Sequence, residues 1–363
     1  MRVLMITQKL DPADPLLGFT VGWVRALLNR VQCLDVLCLE EPPFDRLDAI
    51  FGEYPPNLRT FSMGKERGFG RLRMARRFYR VLFGIMGKTD VIFSHMVPRY
   101  TWMAAPVAMA YPVPQVLWYT HRQVSFELKL ALAAARRVAT AVPESFPIAS
   151  PKVRVLGHGI DADFFAPDPS VPRDDPPLVV QVGRIMPIKH QHILLRALAK
   201  ISDQPARAAI VGAVAPGTDP GYLDYLHQLA ADLGIAERVH FAGGLPPAGV
   251  VEHYRRATVA VNLSPDGLFD KAALESMMTG TPTVVSSAAF DPLLGDHAAA
   301  FRINGPEDED GLVNRLADVL DMAAGRRAAI AQEVQARAVA AHSLDQLADR
   351  LVDLLAEVAN VAR

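Results

Sequence analysis

Cysteine is scarce in this chain, since Cys33 and Cys38 are the only two among 363 residues. Two cysteines are too few for a disulfide framework or for a zinc site of cysteine ligands, and they fit a reducing compartment best. Net charge is also nearly absent, at −1, which argues against a protein that coats nucleic acid. Because half of the residues are hydrophobic and the chain exceeds the usual size of one core, we expect a globular protein of two domains.

Neither a signal peptide nor a membrane span is expected. The N-terminus runs straight into a strand, and acid and proline follow where a signal peptide keeps its apolar core. Residues 100–120 carry no charge and are long enough to cross a bilayer. Prolines at positions 106, 112 and 114 interrupt them, so a short helix, a turn and a buried strand (QVLWYT) explain them better. We therefore expect a cytoplasmic protein.

Two familiar nucleotide-binding fingerprints are also absent. The loop after the first predicted strand, residues 8–20, holds only Gly18 and lacks the G-x-G-x-x-G spacing of dinucleotide-binding proteins. VGRIMPIKH, residues 182–190, does not match the P-loop pattern G-x-x-x-x-G-K-[ST]. These absences argue against an NAD-dependent enzyme and against a nucleoside triphosphate hydrolase.

Apolar runs alternate with helical patterns along both halves of the chain. RVLMIT (2–7) and TVAVNL (258–263) are continuous apolar runs, typical of strands buried on both faces of a parallel sheet. The alternation restarts after residues 161–177, whose proline and aspartate content is typical of a linker. The pattern predicts an α/β fold of two doubly wound domains in tandem.

A stretch with several polar candidates follows the strand at 258–263. Residues 264–287, SPDGLFDKAALESMMTGTPTVVSS, predict a loop and a short helix that Asp270 caps and that ends near Gly280. Lys271 in the first helical turn opposes the helix dipole, and a bound phosphate would remove that conflict. An exposed ion pair between Lys271 and Glu275 is the alternative.

Two further cations and a histidine lie where α/β proteins bind ligands, at or just beyond the carboxyl ends of strands. Arg184 and Lys189 follow the apolar run PLVVQV. With helix-start amides they suit a diphosphate, which Arg can bind bidentately and Lys as a point charge. His121 ends the predicted strand QVLWYTH, and it is either a functional group or an ordinary polar residue at a strand end.

Residues 65–88 carry the strongest local charge bias in the chain. On a helix, Arg73, Arg76, Arg77 and Arg80 fall on one side and apolar residues fall on the other. Such a helix can lie on an anionic membrane or bind an anionic acceptor. A domain helix with a solvated basic face is the alternative.

Four ordered sequence blocks resemble the retaining glycosyltransferases of family 4. These blocks are GHGIDADFFAP (157–167), VGRIMPIKHQHILLRAL (182–198), AIVG with ERVHFAGGLP (209–246), and residues 264–287. The resemblance covers nearly the whole chain and implies the GT-B fold, in which two Rossmann-like domains face each other and the donor binds in the cleft between them. The expected divisions are an acceptor-binding domain at 1–163, a linker at 164–177, a nucleotide-sugar-binding domain at 178–341, and a final helix at 342–363 that returns to the first domain.

The family pattern implies roles for individual positions. The catalytic residues are expected to be His121, Arg184 and Lys189. The donor-binding residues are expected to be Gly18, Arg184, Lys189, Gly243, Leu245, Asp270, Lys271 and Glu275. Within these sets, Arg184 and Lys189 would bind the diphosphate of the donor, Glu275 would bind the ribose hydroxyls, and residues 242–245 would line the base pocket.

One position departs from the family pattern. Eight residues before Glu275, where many members carry the first acid of the signature, this chain has Gly267. Asp266 and Asp270 are close by in the sequence. We therefore interpret the stretch as a variant donor site in preference to an inactive one, and the identity of the donor is left open.

The resemblance implies a retaining hexosyltransferase that moves a sugar from a nucleotide-sugar to a hydroxyl of a glycan, glycolipid or small acceptor. The sequence has no clustered Asp and His set for a divalent ion, so we expect no cofactor or metal, with the departing diphosphate stabilised by Arg184 and Lys189. A sugar-nucleotide epimerase of the same fold and a non-catalytic nucleotide-sugar-binding protein are the alternatives. Expected partners are the donor, a glycan or lipid-linked acceptor of cell-envelope biosynthesis and the anionic inner face of a membrane, but no nucleic acid.

Overall fold

The structure is a computed structural model that describes residues 1–12, 14, 17–41, 55–121, 123–201, 204–214, 217, 219 and 221–361. The strands are β1 (Arg2–Lys9), β2 (Cys33–Glu40), β3 (Leu58–Ser62), β4 (Val91–His95), β5 (Gln115–Trp118), β6 (Arg137–Thr140), β7 (Val153–Val155), β8 (Leu178–Val182), β9 (Arg207–Val211), β10 (Val239–Gly243), β11 (Val259–Asn262) and β12 (Thr283–Val285). The helices are α1 (Thr20–Leu28), α2 (Arg71–Ile85), α3 (Pro98–Ala110), α4 (Phe126–Ala134), α5 (Gln191–Lys200), α6 (Gly221–Asp232), α7 (Pro247–Arg256), α8 (Lys271–Met278), α9 (Asp291–Leu294), α10 (Ala298–Phe301), α11 (Glu309–Asp321), α12 (Ala324–His342) and α13 (Leu344–Val361).

The first compact unit comprises residues 1–161 and 341–363. Its strands are all parallel and lie in the order β3-β2-β1-β4-β5-β6-β7. Alternate residues of β1 enter two different cores, because Val3 and Met5 pack with α1 and α13, whereas Leu4 and Ile6 pack with α2 and α3. A strand covered on both faces needs an apolar side chain at every position, which explains the continuous run RVLMIT.

The second compact unit comprises residues 162–340, and its parallel strands lie in the order β10-β9-β8-β11-β12. Residues 164–177, expected to link two domains, pack as part of this unit. The Arg173 guanidinium in this segment donates hydrogen bonds to the carbonyls of Tyr254 (3.1 Å) and Gly280 (2.9 Å). Proline and aspartate therefore mark irregular backbone here, and the guanidinium satisfies carbonyls that regular structure leaves open.

The uncharged residues 100–120 form α3, a turn and β5, as the prolines predicted, and Pro106 lies within α3. Among the described residues, no helix is both long and apolar enough to cross a membrane. The edge strand β3 was missed by the sequence patterns. Its sequence, LRTFS, contains no apolar run. Only Leu58 and Ser62 of this strand are buried, so the strand does not need an apolar side chain at every position.

Candidate active site

Three neighbouring strands of the second unit reach glycine at the carboxyl edge of the sheet: Gly183 follows β8, Gly212 follows β9, and Gly243 ends β10. The backbone amide of Gly212 donates to the carbonyl of Gly243 at 2.8 Å. A Cβ atom on Gly212 would lie 1.9 Å from the carbonyl oxygen of Gly183, so a side chain cannot be accommodated there. Glycine at this position lets the ends of β8 and β9 lie close together, and ligands of doubly wound sheets bind at this carboxyl edge.

Two buried glutamines hold the loop that carries the predicted cations. The Gln181 side chain donates to the carbonyl of Lys189 at 2.7 Å, and the Gln191 side chain donates to the carbonyl of Arg184 at 3.0 Å. His190, between them, has a φ of 51°, which is uncommon for a residue other than glycine. Neither glutamine was predicted as a site residue from the sequence, although a glutamine within the apolar strand run LVVQV was a usable signal.

Lys189 and Asp270, two predicted site residues, form an ion pair. The Asp270 carboxylate also accepts hydrogen bonds from Asn262 (3.1 Å) and Ser264 (2.8 Å), and it caps α8 through the amide of Ala272 (3.2 Å). Burial pushes the pKa of Asp270 upward, but Lys189 and these hydrogen bonds outweigh burial and hold the pKa below its usual value. Asp270 is therefore an ionised anchor that positions the Lys189 ammonium at the start of α8.

Several buried polar atoms beside this ion pair have no hydrogen-bond partner among the described residues. They are Gln181 Oε1, His190 Nδ1, Gln191 Oε1 and Asn262 Oδ1. Buried polar atoms in native proteins are almost always paired, either within the protein or with water or a ligand. Water or a ligand is therefore needed to supply a hydrogen-bond partner to each of these atoms.

Lys271 and Glu275 lie one helical turn apart on α8. Lys271 is exposed and Glu275 is half-buried. Burial raises the pKa of Glu275 to about 7, with Lys271 lowering it and Asp270 raising it. Although part of the Lys271 side chain is exposed, protein atoms around its ammonium group desolvate the charge and lower its pKa, whereas Glu275 raises it. The helix start thus combines a cation with a carboxyl group that titrates near neutral pH.

Gly267, at the position of the missing acid, occupies a tight turn. The amide of Leu268 donates to the carbonyl of Pro265 at 3.1 Å, and Gly267 has a φ of 70°, as the third residue of a type II turn requires. The neighbouring Asp266 carboxylate accepts from the amide of Ala288 at 3.0 Å. Because Asp266 braces the loop and Asp270 holds Lys189, both nearby aspartates have structural partners.

The predicted base-pocket residues follow β10. Gly243 has a φ of 66°, so glycine suits this position, where the chain turns away from the sheet edge. Leu245 is half-buried, and a Cβ atom on Gly249, in the first turn of α7, would lie 3.3 Å from the Leu245 Cβ. Leu245 therefore presents an apolar side chain against the start of α7.

Gly18 and His121 belong to the first unit, whereas the other predicted donor and catalytic residues belong to the second. The amide of Gly18 donates to the carbonyl of Asp14 at 3.0 Å, and a Cβ atom on Gly18 would lie 2.7 Å from the same oxygen. His121 is exposed beyond the carboxyl end of β5, with its ring 5.4 Å from that of Tyr119. Both residues thus lie at loops that follow the sheet of the first unit.

The basic segment contains helix α2, which begins only at Arg71. Arg73, Arg76 and Arg80 are exposed, as the helical pattern predicted. Arg77 is different, because its guanidinium donates to the carbonyl of Ser62 at the end of β3. Arg77 therefore joins α2 to the sheet, and the prediction that it shares the exposed basic face was wrong.

Within the part of the chain that the structure describes, no group of three or more His, Cys, Asp and Glu side chains could hold a metal ion. The charged groups around α8 are instead the ion pair of Lys189 with Asp270, the cation of Lys271 and the carboxyl group of Glu275.

Each of the two units is an α/β domain with a parallel sheet, and the second has cations and a helix start at the carboxyl edge, where α/β proteins of this class bind ligands. Residues 164–355 match the family described as Glycosyl transferases group 1. Because the match covers more than half of the chain, this protein belongs to that family. The family resemblance read from the motifs is confirmed.

Curated relatives are similar over part of their length. A D-inositol 3-phosphate glycosyltransferase of Acidothermus cellulolyticus is 33% identical over 221 residues, which cover 54% of this chain and 49% of the relative. A GDP-mannose-dependent alpha-(1-6)-phosphatidylinositol monomannoside mannosyltransferase of Mycolicibacterium smegmatis is 31% identical over 191 residues, covering 48% of each chain. The matches therefore span about half the length of these relatives.

A solved structure is similar over the whole chain. Anabaena HepE in complex with UDP and glucose has a TM-score of 0.70 at 20% identity, covering 98% of this chain and 99% of that one. At this identity the likeness concerns the fold, and it confirms the predicted GT-B class.

Proposed function

We propose that this protein is a retaining glycosyltransferase that moves a hexosyl group from a nucleotide-sugar to an acceptor hydroxyl without a metal ion. One observation carries the proposal: Asp270 holds the Lys189 ammonium at a helix start beside the glycine-lined edge of the sheet. A fixed cation beside helix-start amides is suited to a diphosphate. In this family of proteins, a diphosphate at that edge is best explained as the leaving group of a sugar donor.

The proposed chemistry needs positive charge where the leaving group becomes negative. The acceptor oxygen forms a bond to the anomeric carbon while the bond from that carbon to the phosphate oxygen breaks, and the acceptor proton passes to a phosphate oxygen. Arg184 is exposed in the loop after β8, so its guanidinium is accessible to a diphosphate, and Lys189 supplies a second charge. Preorganised cations of this kind stabilise the transition state more than the ground state.

The remaining predicted residues have proposed roles in donor binding. Glu275 binds the ribose hydroxyls, Gly243 and Leu245 border the base, and Lys271 adds charge near the phosphates. Gly18 and His121 contribute from the first unit, His121 near the transferred sugar. Unpaired buried acceptors such as Gln181 Oε1 and Asn262 Oδ1 support the proposal, because hydroxyl groups of a sugar or ribose can donate to them.

The proposal is tested with a panel of UDP-, GDP- and ADP-sugars. We expect one nucleotide class to raise the melting temperature and to support transfer to a glycan, glycolipid or inositol phosphate acceptor in the presence of EDTA. NMR of the product is expected to show the anomeric configuration of the donor. Donor binding without transfer would favour the non-catalytic alternative, and a product formed without acceptor would favour the epimerase. The absence of both binding and turnover with every donor would refute the proposal.

Glu275 is expected to give donor binding and folding opposite dependences on pH. With a pKa of about 7, its ionised fraction rises about tenfold between about pH 6 and pH 8, so donor affinity rises about tenfold if ribose hydroxyls bind the carboxylate. The folded-state pKa lies above the ordinary value of Glu. The contribution of Glu275 to the free energy of unfolding is therefore fully present at a pH below that ordinary value, and it is lost as pH rises through about 7.

Calorimetric titration with the donor and urea unfolding across this pH range measure the two trends. Glu275→Gln is the matched control, because glutamine keeps the shape and does not titrate. In Glu275→Gln, donor affinity and the free energy of unfolding should change with pH only through the other titrating groups, which both proteins share. A wild-type protein with the same pH dependence as Glu275→Gln would contradict the assignment.

We further propose that α2 touches the anionic surface of a membrane. Its exposed face combines Arg73, Arg76 and Arg80 with two exposed apolar side chains, Leu72 and Phe83, which is the composition of an interfacial helix. Because each cation contributes about 1 kcal/mol near an anionic surface, replacing the three arginines with glutamine should weaken vesicle binding about 100-fold. Flotation with phosphatidylglycerol vesicles measures this, and added salt should weaken wild-type binding.

Replacing the same three arginines with lysine keeps the charge and should preserve most of the binding. Arg77 is left unchanged in both variants, because it supports the fold. Vesicle binding that does not change with salt concentration would contradict an electrostatic contact. Equal binding by the glutamine and lysine variants would contradict it as well.

A further inference from the structure

The first unit has a groove between α3 and α4 at the edge of the sheet opposite to the one proposed for catalysis. Its floor includes Gln115, the first residue of β5, and its end includes Arg136, which directly precedes β6. Strands run from these residues toward the carboxyl edge that bears the loops of Gly18 and His121. The groove is therefore separate from the proposed sugar-transfer site.

The groove is apolar along its length and cationic at its rim. It measures about 790 Å³, within the size range of ligand sites. Alanines on the facing surfaces of α3 and α4, including Ala105 and Ala133, make room for it, and Met109 at its side is 81% exposed. Arg136 and Lys152 line it, and the lining contains no carboxylate.

Two polar side chains in the groove have buried atoms without partners among the described residues. Gln115 is only 3% exposed, and its Oε1 accepts no hydrogen bond. The indole Nε1 of Trp102 is buried and likewise has no acceptor. Both atoms are already shielded from solvent without an occupant, so an apolar body that fills the groove adds no desolvation cost at either of them.

The two cations at the rim, Lys152 and Arg136, differ in their partners. Lys152 Nζ donates to the carbonyls of Leu132 (2.8 Å) and Ala135 (2.8 Å) at the end of α4, so it is committed to capping that helix. Arg136 is exposed and forms no ion pair with any described residue. Arg136 is thus the cation that remains for an anionic group at the mouth of the groove.

The groove lies on the same side of the sheet as the basic helix. Side chains of α2 and α3 share one core with Leu4 and Ile6 of β1, and Tyr79 of α2 donates to the carbonyl of Met103 in α3 at 3.1 Å. The exposed arginines of α2 and the groove beside α3 therefore belong to one layer of helices. A surface that approaches one of them can approach the other.

We propose that this groove binds one acyl chain of an anionic glycerophospholipid drawn from a membrane surface. The chain lies along the alanines and Met109, and the phosphate pairs with Arg136. The site goes beyond the transfer reaction, and it rests on the proposed membrane contact only for the source of the lipid.

Tryptophan fluorescence tests the site directly. Of the three tryptophans, Trp23 and Trp118 are buried in the core, at 5% and 3% exposure, and only Trp102 lines the groove. Vesicles of equal parts phosphatidylglycerol and phosphatidylcholine, brominated on the acyl chains, are expected to quench Trp102. The quenching should disappear in Trp102→Phe, and Arg136→Gln should require about fivefold more lipid, whereas the surface control Lys129→Gln should not.

A filled groove separates this site from simple vesicle contact. Ala133→Leu places a larger side chain in the groove at an exposed position, and Ala110→Leu makes the same change at an exposed position of α3 outside it. We expect Ala133→Leu to bind vesicles without quenching and Ala110→Leu to be quenched like wild type. Equal quenching in the two variants, or equal quenching by pure phosphatidylcholine vesicles, would overturn the proposal.

Dissolved short-chain phosphatidylglycerol distinguishes the source of the lipid from the site itself. If the wild type binds this monomer but is not quenched by vesicles, a membrane source is overturned. If the variant lacking Arg73, Arg76 and Arg80 still binds the monomer, the groove is independent of the helix contact. If Ala133→Leu and Arg136→Gln transfer sugar to a soluble acceptor as the wild type does, the groove and the transfer site are separate. Loss of transfer in Ala133→Leu would contradict that separation.

Discussion

Replacing Lys189 with methionine is expected to lower kcat/KM for sugar transfer by about 10³-fold. Lys189 is the anchored cation of the proposed diphosphate site, and removing one preorganised group that stabilises transition-state charge costs about 10²–10³ in rate. A tenfold change corresponds to about 1.4 kcal/mol, so the expected loss is about 4 kcal/mol of transition-state stabilisation. Steady-state kinetics with the donor found in the nucleotide-sugar panel measure it.

The same substitution leaves the Asp270 carboxylate without its ammonium partner. Loss of the partner of a buried polar group destabilises a fold by about 1–3 kcal/mol, so reduced activity alone could reflect unfolding. Asp270→Asn removes the charge and keeps a side chain that can cap α8. The double variant should therefore recover stability in urea unfolding while transfer stays low.

Lys200→Met is the matched control for charge. Lys200 ends α5 in the same unit and pairs with Glu309 at 2.9 Å on the surface. Its replacement removes one positive charge away from the glycine-lined edge, and transfer should be nearly unchanged. Recovery of transfer in the Lys189→Met, Asp270→Asn protein would show that the lysine is structural and would refute its role toward the diphosphate.

Gly212→Ala is expected to lower the free energy of unfolding by about 3–5 kcal/mol and to abolish donor binding. The new Cβ atom would lie 1.9 Å from the Gly183 carbonyl oxygen, and Gly212 has a φ of 158°. Strained backbone and overpacking each cost about 1–3 kcal/mol. Since the clash is with backbone, relief requires β8 and β9 to separate at the edge that carries the Arg184 loop.

Gly234→Ala separates this steric conflict from the cost of a left-handed backbone. Gly234 has a φ of 68°, and a Cβ atom there meets nothing within 4 Å, so the expected loss is only about 1–2 kcal/mol. Urea unfolding and donor titration of the two variants give the comparison. Equal stability of the two proteins, or full donor affinity in Gly212→Ala, would mean that the close approach of the strands is not needed.

Patterns of local spacing predicted the parts of this fold that depend on local burial. β1 and β11 are continuous apolar runs because neighbouring strands and helices cover them on every side. α8 was placed near its observed start because Asp270 is a good N-cap residue, and its side chain does accept from Ala272. Prolines correctly separated α3 from β5 in a stretch that hydropathy alone would have assigned to a membrane.

Predictions failed where a polar side chain finds its partner far away in the chain. Arg77 fits the basic side of a helical wheel, but the carbonyl of Ser62 lies within its reach only after α2 packs on the sheet. Arg173 lies in a stretch with the composition of a linker, yet it binds carbonyls more than 80 residues away. Helical periodicity and composition describe a segment and its solvent, not the partners that folding brings to it.

The sequence by itself determined the α/β class, the two-part organisation and the glycosyltransferase family, because strand burial and motif spacing are written in neighbouring residues. It also identified Lys189, Asp270, Lys271 and Glu275 as candidates. Only the tertiary structure decided that Asp270 holds Lys189 across 81 positions of sequence and that Gly212 must lack a side chain. Both facts depend on how close the ends of β8, β9 and β11 lie to one another, and the packing of the whole sheet determines those distances.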